Sequence, residues 1–354
     1  MKKIILVILV VLILSLLILS GCLEGTVNGV VYESQPTRVS YTISYGYNVD
    51  CLGDGENTII YNCDIPEVLS GTASNIVVLD DDYSEVTVAT FNEQISWDFT
   101  KETCEDYTLG ISADVIADTN LVSDLSGEGA LSIQDIIVDY FTLIGQYGGS
   151  QTNDSIKYID PFAVDIRNIA VDVQNKANSD NSFIVAREIF KWLKLNTYYS
   201  LSEGAPKPAI STFENKTGDC DDLTFLYISL CRAINIPARF IRGFLVEEDS
   251  VVAHAWAEVY VGNNIGNGGW IAVECAGGSD EIEDEVNTNF AIESADHLRV
   301  FVDDGSDESL ASTLKGISYS GENLATPEPF VEVTNYQVLE SKELLVENNN
   351  RNYQ

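Results

Sequence analysis

The spacing of hydrophobic and polar positions divides the chain into three textures. Between about residues 27 and 131, short runs rich in β-branched and aromatic residues alternate with Gly, Asp and Asn, as at 29–32, 39–45, 75–79 and 85–91. Such runs suit a half-buried pleated surface and predict strands joined by turns. Near Asp160 the period changes. Val164, Ile166, Ile169, Val171 and Val173 form one apolar stripe, and Phe183, Ile184, Ala186, Ile189, Phe190, Trp192 and Leu193 form another. Both predict amphipathic helices, the first with Pro161 near its start. After a polar loop at 202–212, helix resumes beyond Gly218 through Leu223, Phe225, Leu226, Ile228, Leu230 and Cys231. Strand signals follow at 238–246, 251–261 and 269–275. Helices followed by antiparallel strands predict an α+β class.

The first residues have a different pattern. Met1-Lys2-Lys3 is a short positive start, and residues 4–19 are apolar except for Ser15. Leu19-Ser20-Gly21-Cys22 then resembles a lipoprotein processing box, with Cys22 as the lipidation site; an uncleaved anchoring helix is the alternative. Either way the remainder is expected on the extracytoplasmic face of the cell membrane. The expected organisation is a signal or anchor at 1–22, a β-rich domain at 23–150, a helical and sheet domain at 151–300, and an acidic, polar extension at 301–354 with mobile final residues. No internal repeat is evident.

Composition narrows the partners. Hydrophobic residues make up 45% of the chain, enough for a sizeable core. The formal charge of -36 repels phosphate backbones, so nucleic acid is a poor partner. In an oxidising compartment the seven cysteines need accounting. Cys51 and Cys63 flank a turn-rich segment and are the candidate disulfide pair. Cys104, Cys231 and Cys275 remain, so at least one thiol stays unpaired. Acidic runs such as Asp80-Asp81-Asp82, 281–285 and 303–308 match no calcium loop, and the Cys and His spacings suggest no zinc site, so no metal is assigned. Asn153-Asp154-Ser155 and Asn215-Lys216-Thr217 fit glycosylation acceptors, a common chance occurrence.

Chemistry concentrates in Thr217-Gly218-Asp219-Cys220-Asp221-Asp222. A thiol at a helix N-terminus faces unpaired backbone N–H groups and the positive end of the dipole, which favour thiolate; Asp219, Asp221 and Asp222 oppose it. Of the two histidines, His254 lies in the alternating run Ala253-His254-Ala255-Trp256-Ala257-Glu258, sharing a face with Trp256 and Glu258. The next strand can bring Glu274 beside it to select the imidazole tautomer. Trp256, Trp270 and Asp219 are candidate pocket residues. Glu258 is expected to pair with Arg239 or Arg242, and His297, outside these motifs, is expected at the surface.

Four pieces in order carry a resemblance: Gly218-Asp219-Cys220-Asp221-Asp222, then residues 230–239, then His254, Trp256 and Glu258, then Trp270 and Glu274. Over about residues 156–277 the chain resembles the transglutaminase-like superfamily. The resemblance implies a papain-like core, with a cysteine-bearing helix packed on an antiparallel sheet. It also implies Cys220 as nucleophile, His254 as general base and acid, and Glu274 as the orienting group, where aspartate followed by proline is usual. Asn235 stands where glycine commonly precedes Ile-Pro, a change that Asn tolerates because it adopts left-handed turns. The implied activity is cofactor-free acyl transfer on amides, chiefly hydrolysis of extracellular protein or envelope peptide at the cell surface. The alternative is a non-catalytic binding or structural lipoprotein that keeps the fold.

Overall fold

The computed structural model describes residues 29–80, 85–88, 92–153, 155–202, 204–278, 281–306, 310 and 314–354. The leader and Cys22 lie outside them, as do Asp81, Asp82, Asp154 and residues 307–308 of the acidic runs and glycosylation sequences noted above. No helix among the described residues is long and apolar enough to cross a membrane. The architecture is α+β, as expected.

The N-terminal half is a pair of facing sheets. Strands β1 (Val30–Val49), β3 (Gly71–Val78) and β6 (Tyr107–Asp118) belong to one, and β2 (Asn57–Asp64), β4 (Glu85–Val88) and β5 (Glu93–Lys101) to the other. Val39, Ile43 and Tyr45 of β1 meet Ile59 and Tyr61 of β2 and Trp97 of β5 in one core, because period-two alternation turns each strand's apolar set inward. A disulfide joins Cys51 to Cys104, not to Cys63. Cys63 faces the core from β2, whereas Cys51 follows β1, which belongs to the opposite sheet, and meets the loop between β5 and β6.

Seven helices are described: α1 (Ile133–Asp139), α2 (Phe141–Tyr147), α3 (Val164–Ala177), α4 (Ser182–Asn196), α5 (Ala209–Asn215), α6 (Cys220–Ala233) and α7 (Ile282–Asn289). The second sheet system contains β7 (Ala238–Val246), β8 (Val251–Tyr260), β9 (Trp270–Val273) and β10 (His297–Val302), in the order β9-β8-β7-β10, all antiparallel. Helix α6 is apolar on nearly all sides, and every residue from Asp222 to Arg232 is buried. That is the pattern of a central helix rather than a surface one. It packs among α3, α4 and the sheet, where Ala255, Ala257 and Val259 present small, apolar side chains to it. Its end is closed by Asn235 in the left-handed conformation (φ 64°), as the sequence predicts.

The C-terminal segment departs from expectation. Strand β11 (Ser318–Ser320) adds to β2, β12 (Glu328–Glu347) runs antiparallel along nearly all of β1, and β13 (Asn350–Tyr353) completes that sheet. The final residues are therefore pinned, not free. Buried Arg351 donates hydrogen bonds to the carbonyls of Val122, Asn287, Phe290 and Ala291. Most β12 side chains are exposed, so its polar composition concealed a strand held by main-chain pairing. The two halves also share a core: Phe244, Val246, Leu298 and Val300 of the second sheet pack into the N-terminal cluster.

Candidate active site

The N-terminus of α6 sets the thiol. Asp219 caps the helix, accepting from the Asp222 backbone N–H, while Asp222 accepts from that of Asp219. This reciprocal box satisfies two otherwise orphaned donors and leaves Cys220 as the first helical residue. Gly218 is needed for the close approach, since a Cβ there would lie 2.5 Å from Asp222 Cβ. Lys207 in turn pairs with buried Asp222 at 3.1 Å.

Cys220 and His254 line one cavity of roughly 700 Å³, together with Glu274, His297, Asp219, Asp221 and the apolar Tyr199, Leu201, Leu245 and Val252. Strand pairing puts His254, Trp256 and Glu258 on the face opposite the alanines that touch α6. His254 Nε2 lies 2.6 Å from Glu274 Oε2, and Glu274 Oε1 accepts from the Ala276 N–H at 2.7 Å. Nδ1 is therefore the ring nitrogen left for the cavity. Burial would raise the Glu274 pKa, but the charges and hydrogen bonds of His254 and His297 outweigh it and hold the carboxyl well below its ordinary range.

The resting thiol is not ionised. Burial and the neighbouring Asp221 push Cys220 up to about 12, against a hydrogen bond from the Ala255 backbone. Desolvation and the acidic neighbours thus act against the thiolate at this helix start. Among the described residues no hydrogen bond joins the sulfur to the imidazole; they share the cavity. Asp221 itself is pushed up to about 7 by burial and by Asp219 and Asp222.

Neither tryptophan expected in the pocket lines the cavity. Trp256 lies behind the imidazoles, stacked on His254 with centroids 5.9 Å apart and edge-on to His297 at 4.7 Å. Its indole N–H donates to Glu293 Oε2 at 2.9 Å. Trp270 packs with Tyr147 and Tyr260 and lies under the Arg239 guanidinium, 4.2 Å from its ring centroid. Strand β9 ends before Glu274, so Trp270 sits at the far end of the strand from the carboxylate.

His297, expected at the surface, is buried, and its Nε2 lies 3.0 Å from the same Glu274 oxygen. The sequence clue was slight: one of only two histidines, in an apolar run at the start of a fourth strand. Glu258 is likewise fully buried and ion-paired, with Arg239 as expected and with Arg299 in place of Arg242. His254, Glu274 and His297 bring three potential metal-ligand atoms within 4.8 Å of one another. Both Nε2 atoms are directed at the carboxylate oxygen, however, and an N–H that donates there has no lone pair for a cation. These residues fit a hydrogen-bonded relay better than a metal centre.

A thiol at the head of a buried helix and a strand imidazole held by a carboxylate thus line one cavity. Residues 167–275 match the family model described as the transglutaminase-like superfamily. No curated protein matches the chain. Among solved structures it is similar to a candidate cysteine protease from Cytophaga hutchinsonii, at 15% identity over 92% of this chain and 100% of that one, with a TM-score of 0.46. It is also similar to the periplasmic domain of TgpA from Pseudomonas aeruginosa, at 11% identity over 69% and 92% of the two chains, with a TM-score of 0.32.

Proposed function

We propose that the protein is an exported, membrane-anchored thiol enzyme that transfers acyl groups from amides, with water as the principal acceptor. The observation that carries this reading is the convergence of Cys220, His254 and Glu274 on one cavity, with the 2.6 Å His254–Glu274 contact selecting the tautomer a base requires. With Nε2 donating to Glu274, His254 Nδ1 takes the Cys220 proton as the sulfur attacks an amide carbonyl. The backbone N–H of Cys220, unpaired at the first helical position, is the donor nearest the developing oxyanion. The imidazolium then protonates the departing amine, leaving an acyl-thioester. Water, deprotonated by His254, releases the acid; a lysine amine in its place would give a cross-link. A high resting thiol pKa makes proton transfer concerted with attack, not a prior ionisation.

The leader at residues 1–22 supports export and anchoring, and a Cys51–Cys104 disulfide agrees with an oxidising compartment. Extracellular protein or envelope peptide is the substrate class this address favours. The competing reading, a binding lipoprotein with a retired site, draws on the raised Cys220 pKa and its acidic neighbours. Alkylation separates the two. Iodoacetamide should label Cys220 selectively, and His254→Ala should slow that labelling; equal rates in both proteins would favour the binding reading. A labelled amine offered with a peptide library then distinguishes cross-linking from hydrolysis.

A further inference from the structure

We propose that His297 is a positioning residue of this site, holding the Glu274 carboxylate so that Glu274 in turn holds His254 in a relay that runs Ser294–His297–Glu274–His254. The inference rests on the thiol chemistry proposed above.

The geometry is specific. One oxygen, Glu274 Oε2, lies 2.6 Å from Nε2 of His254 and 3.0 Å from Nε2 of His297. The other oxygen is taken by the Ala276 N–H. A glutamate has three rotatable side-chain bonds, and two imidazole donors converging on one oxygen remove the freedom that a single donor would leave. The far side of His297 is fixed as well. Ser294 Oγ lies 2.8 Å from its Nδ1, and a hydroxyl donating there makes Nδ1 the acceptor and leaves the proton on Nε2, facing Glu274. The His254 and His297 rings, 5.5 Å apart, both lean on the Trp256 indole, which limits their rotation.

The fold is shaped to bring this second histidine in. His297 belongs to β10, and β7 lies between it and His254 on β8. Opposite His254, β7 carries Gly243, and a Cβ there would lie 1.8 Å from the Leu298 carbonyl oxygen. At the same point the β7–β10 register is irregular, between Arg242 and Gly243. The glycine lets β10 close in beside the site. The extra methylene of Glu274, relative to aspartate, gives its carboxylate the reach to stand between two imidazoles.

The arrangement has a consequence for turnover. When His254 takes the Cys220 proton it becomes a cation hydrogen-bonded to Glu274. A carboxylate that already accepts from His297 and Ala276 is a weaker base, so the proton stays on His254 for the departing amine.

The test uses the mature chain with His297→Leu, His297→Gln and Ser294→Ala, each alone, and His297→Leu also combined with Glu274→Gln. One readout is the rate of Cys220 alkylation by iodoacetamide near neutral pH. The other is the tautomer of His254 by nitrogen-15 NMR, which is unambiguous because the chain has only two histidines and the His297 variants keep one. His297→Leu should slow alkylation roughly tenfold and mix the His254 tautomers. His297→Gln, whose amide N–H can replace Nε2–H, should recover most of the rate, and Ser294→Ala should shift both readouts in the same direction by less. In the Glu274→Gln background His297→Leu should add nothing, as expected of a residue that acts through the carboxylate. An unchanged rate and tautomer in His297→Leu, or an equal penalty in both backgrounds, would overturn the proposal; should that variant not fold, unchanged readouts in Ser294→Ala would overturn it. If His254→Ala leaves alkylation unaffected, the thiol reading falls, and the His254 tautomer still decides the role of His297.

Discussion

The face of the second sheet that carries His254 holds two carboxylate clusters largely shielded from solvent, and they differ in one respect. At one end Glu274 is met by two imidazoles. At the other Glu258 and Glu293 are met by Arg239 and Arg299, with Arg299 within 2.6 Å of Glu258 and 2.5 Å of Glu293. Both arrangements solve the same problem, because an ionised carboxylate cannot be buried unpaired. Guanidinium never gives up its proton, so the Arg cluster is electrostatically fixed; it holds Glu258 down at about 2, against the effect of burial. Imidazole, unlike guanidinium, can release a proton, so in the proposed mechanism the same kind of pairing serves proton transfer. Trp256 connects the clusters, with its ring on the histidines and its N–H on Glu293.

Isosteric amides should separate the two clusters. Glu274→Gln should lower turnover roughly 10²- to 10⁴-fold, because an amide can present its N–H to His254 and favour the wrong tautomer. Denaturant melts should show a much smaller loss of stability. Glu258→Gln should behave the other way, leaving Arg239 and Arg299 short of countercharge and costing about 3–5 kcal/mol in urea unfolding. Its folded fraction should retain selective labelling at Cys220. If Glu258→Gln abolished labelling in stably folded protein, the division between a chemical and a structural cluster would fail.

Smaller effects sharpen the contrast. Cys231 and Cys275 are fully buried and neither lines the histidines' cavity, and burial pushes Cys231 up to about 12. In the folded protein Cys220 should therefore alkylate at least roughly tenfold faster than either, as accessible thiols do relative to buried ones. Mass spectrometry of the labelled peptides measures this. Labelling should also rise with pH through the neutral range without levelling off, since the thiol rests protonated.

The smallest expected effect is on stability against pH. Asp221, raised to about 7, binds its proton more tightly in the folded chain than in the unfolded one, where its pKa is about 3.9. Its favourable contribution is complete below that lower value and is lost as pH rises through about 7. Thermal melts should therefore weaken modestly from pH 5 to pH 8, and Asp221→Asn should flatten that slope. Glu258 acts oppositely: its contribution is present above about 4.3 and is lost as pH falls toward about 2.

Much of the site was legible in the chain because its signals are local. A glycine, a capping aspartate and a cysteine before an apolar helix specify a helix start, and Ala-His-Ala-Trp-Ala-Glu specifies which residues share a strand face. Those patterns put Cys220 at a helix start and His254 on a strand face, and both residues line the cavity. Three of the misplacements were long-range. Cys51 pairs with Cys104 across 53 residues, His297 comes two strands away from His254, and β12 lies some 300 residues from its partner β1. No periodicity in one segment reports which distant segment will lie beside it.

By itself, then, the sequence determined the helix that presents the thiol, the strand face that presents the imidazole and the carboxylate that follows, since capping and alternation act over a few residues. Only the tertiary structure decided that a second histidine shares that carboxylate, that the tryptophans back the site or lie away from it, and that the thiol rests protonated. Those outcomes depend on which groups are brought together and how much water is excluded between them, and both are properties of the assembled sheet and helix.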